Sequence, residues 1–172
     1  MRYLNKIFLV FATVILLTGA GKKEIKLTEG IQPGNLAPAI NLQDVIFENK
    51  NDYVLLQFWA AYDPNSRIQN IQMHNIIKSK TLSVENLKLL SISMDESKSV
   101  FSGIVKADHL DESTQFNESM GRSSDLYKTF GLERGFGNWL INPSGMIIAR
   151  NVNPDKLMEI VLRDSLRTPR LS

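Results

Sequence analysis

Cysteine is absent from all 172 residues. Without a thiol there is no disulfide, no thiolate metal ligand and no thiol nucleophile. Histidine is scarce: only His74 and His109 occur, far apart in the chain, too few for a histidine-rich zinc site. Both histidines read as surface residues. An excess of one charge is missing as well, with 20 Lys and Arg against 18 Asp and Glu. Residues 1–20 hold Arg2 and Lys6 and no acid, so beyond them the balance is 18 to 18. No basic run or stripe breaks it, which removes electrostatic support for nucleic-acid binding. Asp95, Glu96, Asp108, Asp111 and Glu112 are acidic but lack the regular spacing of a calcium loop, so neither a metal nor a cofactor is expected.

What is present suits one globular domain with a real core: 43% of residues are hydrophobic and 22% charged. The first twenty residues stand apart. Arg2 and Lys6 precede an apolar run, Ile7 to Leu17, which ends in the small residues Thr18-Gly19-Ala20. That layout is a secretory signal peptide, too short to span a membrane comfortably. LTGAGKK also resembles a bacterial lipobox, with Ala20 where the lipidated cysteine would stand. A membrane tether therefore requires a native cysteine at position 20, and either divergence or a substitution accounts for Ala20. Residues 21–34, polar with Gly and Pro, read as a tether, and residues 35–168 as the domain.

Within the domain, Asn41 to Phe47 suits a short edge strand. Tyr53 to Ala60 (YVLLQFWA) and Leu87 to Met94 suit buried central strands. Asp63-Pro64 opens a helix expected to reach about Lys78. The Asp caps free backbone N–H groups, and the Pro gives up an N–H that had no partner. Asn153-Pro154-Asp155 repeats that grammar for a C-terminal helix with Leu157, Ile160 and Val161 on one face. Pro143-Ser144-Gly145 joins Trp139–Asn142 to Met146–Ala149 as a hairpin. Between them, 97–131 reads as helical pieces around a polar loop, 111–122. A buried strand, a crossover helix and a second buried strand imply a parallel pair, and the late hairpin adds antiparallel strands. The expected class is an α/β sandwich with a mixed central sheet flanked by helices.

Four separated blocks, in order, resemble the thioredoxin-like superfamily over roughly residues 33–165. GNLAPAINLQD is similar to its entry segment, YVLLQFWAAYDPNSR to its strand and active-site turn, LLSISMDES to the next strand, and LYKTFGLERGFGNWLINPSGMIIA to its late segment. The nearest groups are exported, membrane-tethered thiol-disulfide oxidoreductases (TlpA-like) and the AhpC/TSA-like peroxiredoxins. The resemblance implies a three-layer thioredoxin-like sandwich and contradicts the activity. Phe58, Trp59, Ala60 and Arg67 match the frame. Tyr62 stands where the family has the Trp before its first cysteine. Asp63 stands at the nucleophilic cysteine, Pro64 and Asn65 at the two spacers, and Ser66 at the resolving cysteine. Phe136 stands at the cis-proline, with Gly135-Phe136-Gly137-Asn138 in place of Gly-x-Pro-Thr.

A carboxylate at a helix N-terminus receives the stabilisation a thiolate would, but it cannot exchange with a disulfide. Asp63 and Ser66 are thus vestigial positions with no catalytic role expected. Trp59, Tyr62, Asp63, Pro64, Asn65, Phe136 and Asn138 are the expected binding surface, with Trp59 packed beneath the turn and Tyr62 and Phe136 forming an apolar patch. The expectation is an exported, non-catalytic module that binds a peptide or protein of the cell envelope, in the periplasm or at the membrane. The alternative is an oxidoreductase or peroxiredoxin-like enzyme of the same family whose cysteines were substituted. Cysteine codons at 63 and 66 in the native gene would restore that enzyme. The purified chain is expected to give no turnover in an insulin-reduction assay, and measurable turnover would contradict the reading.

Overall fold

A computed structural model describes residues 28–42, 45–46, 52–79 and 87–167. The expected signal peptide, and residues 21–27 of the expected tether, lie outside the described residues. The chain forms a short antiparallel pair, β1 (Asn41–Leu42) and β2 (Val45–Ile46), where one edge strand was expected. Next come β3 (Tyr53–Trp59), α1 (Pro64–Lys78), β4 (Leu87–Ser93) and α2 (Lys98–Ala107). They are followed by β5 (Gln115–Asn117), α3 (Asp125–Thr129), β6 (Asn138–Ile141), β7 (Ile147–Arg150) and α4 (Leu157–Arg167). The polar loop expected at 111–122 therefore contains a strand. Among the described residues no helix is long and apolar enough to cross a membrane.

Five strands form one sheet in the order β5-β4-β3-β6-β7, parallel from β5 to β3 and antiparallel from β3 to β7. Helices cover both faces, completing the expected three-layer α/β sandwich. β3 lies at the centre with all seven side chains buried, which is why its sequence is nearly unbroken apolar. Val54, Leu56 and Phe58 face α3. There Phe58, Phe130 and Trp139 pack ring to ring, with centroids 4.9 to 5.7 Å apart. Tyr53 and Leu55 face the other way, onto Met73 of α1 and Leu157 and Val161 of α4. Trp59 ends that face in a smaller cluster with Ile71, Phe101 and Val105.

One layer of the α1 face is polar. Gln115, Ser91, Gln57 and Asn138 sit opposite one another on β5, β4, β3 and β6, all buried. The Ser91 hydroxyl donates to Asn70 Oδ1 (2.6 Å), and Asn70 Nδ2 donates to Gln115 Oε1 (3.0 Å). Asn70 lies on α1, so the helix is bonded to two strands through a single carboxamide. Asn138 Nδ2 donates to the Val152 carbonyl (3.1 Å), and the Val152 N–H donates back to Asn138 Oδ1 (2.7 Å). Gln57 Nε2 donates to the Phe58 carbonyl, and its Oε1 has no donor among the described residues.

The late hairpin turns as its sequence implies. Asn142 Oδ1 accepts from the Ser144 and Met146 N–H groups, and Gly145 takes φ 80°, a value L side chains rarely adopt. Residues 34–37, at the expected tether's end and the domain's start, bond to this hairpin. The Gly34 N–H donates to the Ile147 carbonyl, and the Ala37 N–H to that of Gly145. The Trp139 indole N–H reaches the Ile31 carbonyl at 3.0 Å, so the sheet also holds the stretch before the domain.

Truncation of Asn138 strips two buried backbone groups of their partners. Asn138→Ala is expected to lower the unfolding free energy by roughly 2–4 kcal/mol in a urea titration, whereas Gln57→Met, which removes an unpaired acceptor along with one donor to the Phe58 carbonyl, should cost less, about 1 kcal/mol or under.

Candidate functional site

The corner between β3 and α1 is fixed by three side chains. Asp63 is in extended backbone (φ −113°, ψ 97°), and its Oδ1 accepts the Ser66 N–H at 2.8 Å, the expected N-cap. Ser66 is buried. Its hydroxyl accepts the Ala60 N–H (3.3 Å) and donates to the Asp63 carbonyl (3.0 Å). Asp95, at the end of β4, is also buried. Both its oxygens accept the Ala61 N–H (3.1 and 2.9 Å), and the Ser93 hydroxyl donates to it at 2.7 Å. Sequence reasoning placed Asp95 among scattered acids and missed this role, because the bond joins residues far apart in the chain.

Among the described residues, no side-chain base bonds to the Ser66 hydroxyl. Both hydrogen-bonding directions of the Ser66 hydroxyl are committed to backbone. His109 is exposed, as expected, and takes φ 54°. His74 is buried, not on the surface: it lies on the inward face of α1, where its Nε2 accepts the Asp111 N–H at 3.1 Å. Arg67 forms a two-pronged pair with Asp108 (2.6 and 2.5 Å), which ties the first turn of α1 to the end of α2 and raises the guanidinium pKa further.

The surface around the corner is open and partly apolar. Tyr62 is 54% exposed and Ile68 54% exposed, while Phe136 is half-buried. The Tyr62 and Phe136 rings meet with centroids 6.1 Å apart. The Arg122 guanidinium lies 5.8 Å from the Tyr62 centroid, and hydrogen bonding to Tyr62 raises its pKa. Tyr62 and Phe136 are thus brought together as expected, with the exposed Pro64 and Asn65 beside them. Trp59 and Asn138, also expected at the binding surface, are fully buried. Trp59 points into the α2 cluster, and Asn138 spends both ends of its carboxamide on Val152, so neither reaches a ligand. Arg122, Ile68 and Val100 were missed, since only the fold gathers them on this face.

Two depressions flank Tyr62. One, about 590 Å³, is bounded by Ala61, Tyr62, Met94, Glu96, Val100 and Arg122. The other, about 530 Å³, lies between the start of α1 and the segments 135–136 and 151–154. Among the described residues no peptide bond is cis, and Gly135 before Phe136 takes φ 119°.

No family model and no curated protein matches the chain. Solved structures do. A thioredoxin-like protein from Parabacteroides distasonis is 48% identical, with 80% of this chain and 99% of that one covered and a TM-score of 0.73. A thiol-disulfide oxidoreductase from Bacteroides fragilis is 26% identical over 66% of this chain and 82% of its own, with a TM-score of 0.56. The thioredoxin domain of a thiol-disulfide oxidoreductase from Bacteroides vulgatus shares the fold at 21% identity, covering 78% and 99%, with a TM-score of 0.58.

Asp63→Ala is expected to cost ~1 kcal/mol as a lost cap. Ser66→Ala should cost about 1–3 kcal/mol, because the buried Ala60 N–H loses its acceptor. The two losses are coupled through one turn, so in urea unfolding the double variant should depart from additivity by at least ~0.5 kcal/mol.

Proposed function

This chain belongs to the thioredoxin-like family, and we propose that it serves there as a non-catalytic binding module rather than a thiol-disulfide oxidoreductase. Exchange needs a thiolate to attack and a second thiol to resolve the mixed disulfide. The chain supplies neither, and the positions they would occupy are consumed by hydrogen bonds within the turn. The observation that carries the reading is this contrast. The corner is satisfied internally, while Tyr62, Ile68 and Phe136 beside it remain exposed or half-exposed. Apolar groups on a rigid corner, rimmed by polar residues, are what a docking surface needs.

The ligand in this reading is a protein or peptide of the cell envelope, met after export. The charged and apolar pattern of residues 1–20 supports export, and a periplasmic or membrane-associated site follows from it. Arg122 over Tyr62 pre-orders one side of the patch, which lowers the entropy lost on docking.

The test is recovery of partners from the envelope fraction of the source cells with the native chain and with Tyr62→Ala/Phe136→Ala. Tyr62 is mostly exposed, so the pair should fold with only a modest loss of stability. The expected outcome is loss of the specifically recovered partners, and equal recovery by both proteins would remove the docking face.

A further inference from the structure

The 530 Å³ groove beside Asp63 differs in chemistry from the Tyr62–Arg122 side. Its walls carry five carboxamides, Asn65, Gln69 and Gln72 from α1 and Asn151 and Asn153 from the segment after β7. A carboxamide both donates and accepts, so such a wall suits a ligand with dense hydrogen-bonding groups of both kinds. The groove continues the buried polar layer outward. Gln57 Nε2 lies 3.5 Å from Gln69 Oε1, and the fully buried Gln57 Oε1 is an acceptor without a donor just behind that wall. Asn151 takes φ 51°, and its Oδ1 lies 2.4 Å from where a Cβ on Gly137 would stand, so its carboxamide packs directly against that glycine.

The charge pattern narrows the ligand. A helix N-terminus ordinarily attracts an anion. Here Asp63 already caps it, and its carboxylate is the one charged group on the wall. An anion is repelled, and a charged ligand of either sign would be desolvated against neutral amides. A hydroxyl, by contrast, donates well to a carboxylate. Phe136 adds an aromatic face at the rim, on which the C–H face of a sugar ring can pack. A peptide that binds by adding a strand needs a free sheet edge, and β6 beneath this rim is paired on both sides, to β3 and β7.

We infer that this groove is a binding site for a neutral oligosaccharide, held by the carboxamides of Asn65, Gln69, Gln72 and Asn151, by hydroxyl donation to Asp63, and by stacking on Phe136. The site goes beyond the protein-docking face: it shares Phe136 and Ile68 with that face, while Tyr62, Arg122, Val100 and Met94 line only the other depression. Its volume lies in the range of small-ligand sites.

The test is NMR titration of the ¹⁵N-labelled chain with maltohexaose, xylohexaose and chitohexaose. An oligogalacturonate and a neutral Ser/Gln/Asn peptide serve as contrasts. The expected result is a saturable shift of amides in 65–72, 135–136 and 151–154 with at least one neutral sugar. Asn65→Ala/Gln72→Ala and Asn151→Gly should each weaken it by about tenfold, or ~1.4 kcal/mol. Glycine keeps the left-handed backbone at 151, and unchanged spectra elsewhere report that each variant folds. Arg122→Ala should leave sugar binding intact while weakening partner recovery, which separates this site from the docking face. No saturable shift with any of the three sugars overturns the inference. So does tighter binding of the galacturonate or the peptide, or undiminished binding by the two variants.

Discussion

The buried polar layer beneath α1 is the constraint on which the rest of the structure depends. Gln115, Ser91, Gln57 and Asn138 share one row across four strands, and Asn70 of α1 bonds to two of them. A one-residue slip of any strand would carry its member to the opposite face, into the Phe58–Phe130–Trp139 packing. Apolar burial holds the sandwich together, but it tolerates such slips better than a bonded polar row does. The row therefore sets register and seats α1, and the seat of α1 decides where Asp63 and Ser66 lie.

Given that seat, the corner is closed by hydrogen bonds among its own groups. The positions that match the family's two cysteines carry Asp63 and Ser66, and both side chains turn inward on the backbone. Asp95 completes the closure from the neighbouring strand by taking the Ala61 N–H. Ser66 bridges the last residue of the strand segment and the cap, so the turn stays tight without any covalent link. What remains outward is Tyr62, supported by Phe136 and Arg122, with a depression of apolar, acidic and basic groups on one side and a carboxamide groove on the other.

Much of this was legible in the sequence where the signals are local. The Asp63-Pro64 start of α1, its end at Lys78, the buried run of β3 and the Pro143-Ser144-Gly145 turn each rest on neighbouring residues, and all lie where their grammar puts them. The four family-like blocks carried the mixed three-layer fold and the closeness of Phe136 to Tyr62. The missed features depend on pairing across the chain. β5 is three residues long and gains strand geometry only by pairing with β4. His74 was misplaced because the inward face of α1 begins polar, with Ser66 and Asn70, and so shows no apolar stripe to mark it as inward. Asn138 left the expected surface for the same reason, while Trp59 packs beneath the turn as expected: inward or outward is fixed by strand register, which spacing alone leaves open.

The central claim, that this corner is architecture rather than chemistry, is tested most directly by native-state hydrogen exchange at the Ala60, Ala61 and Ser66 amides. All three are bonded within the corner, to Ser66, Asp95 and Asp63. The account predicts that they exchange only through global unfolding, with protection that falls in step with overall stability as urea is added. Exchange of these three amides at the rate of an open, solvent-exposed loop would contradict it.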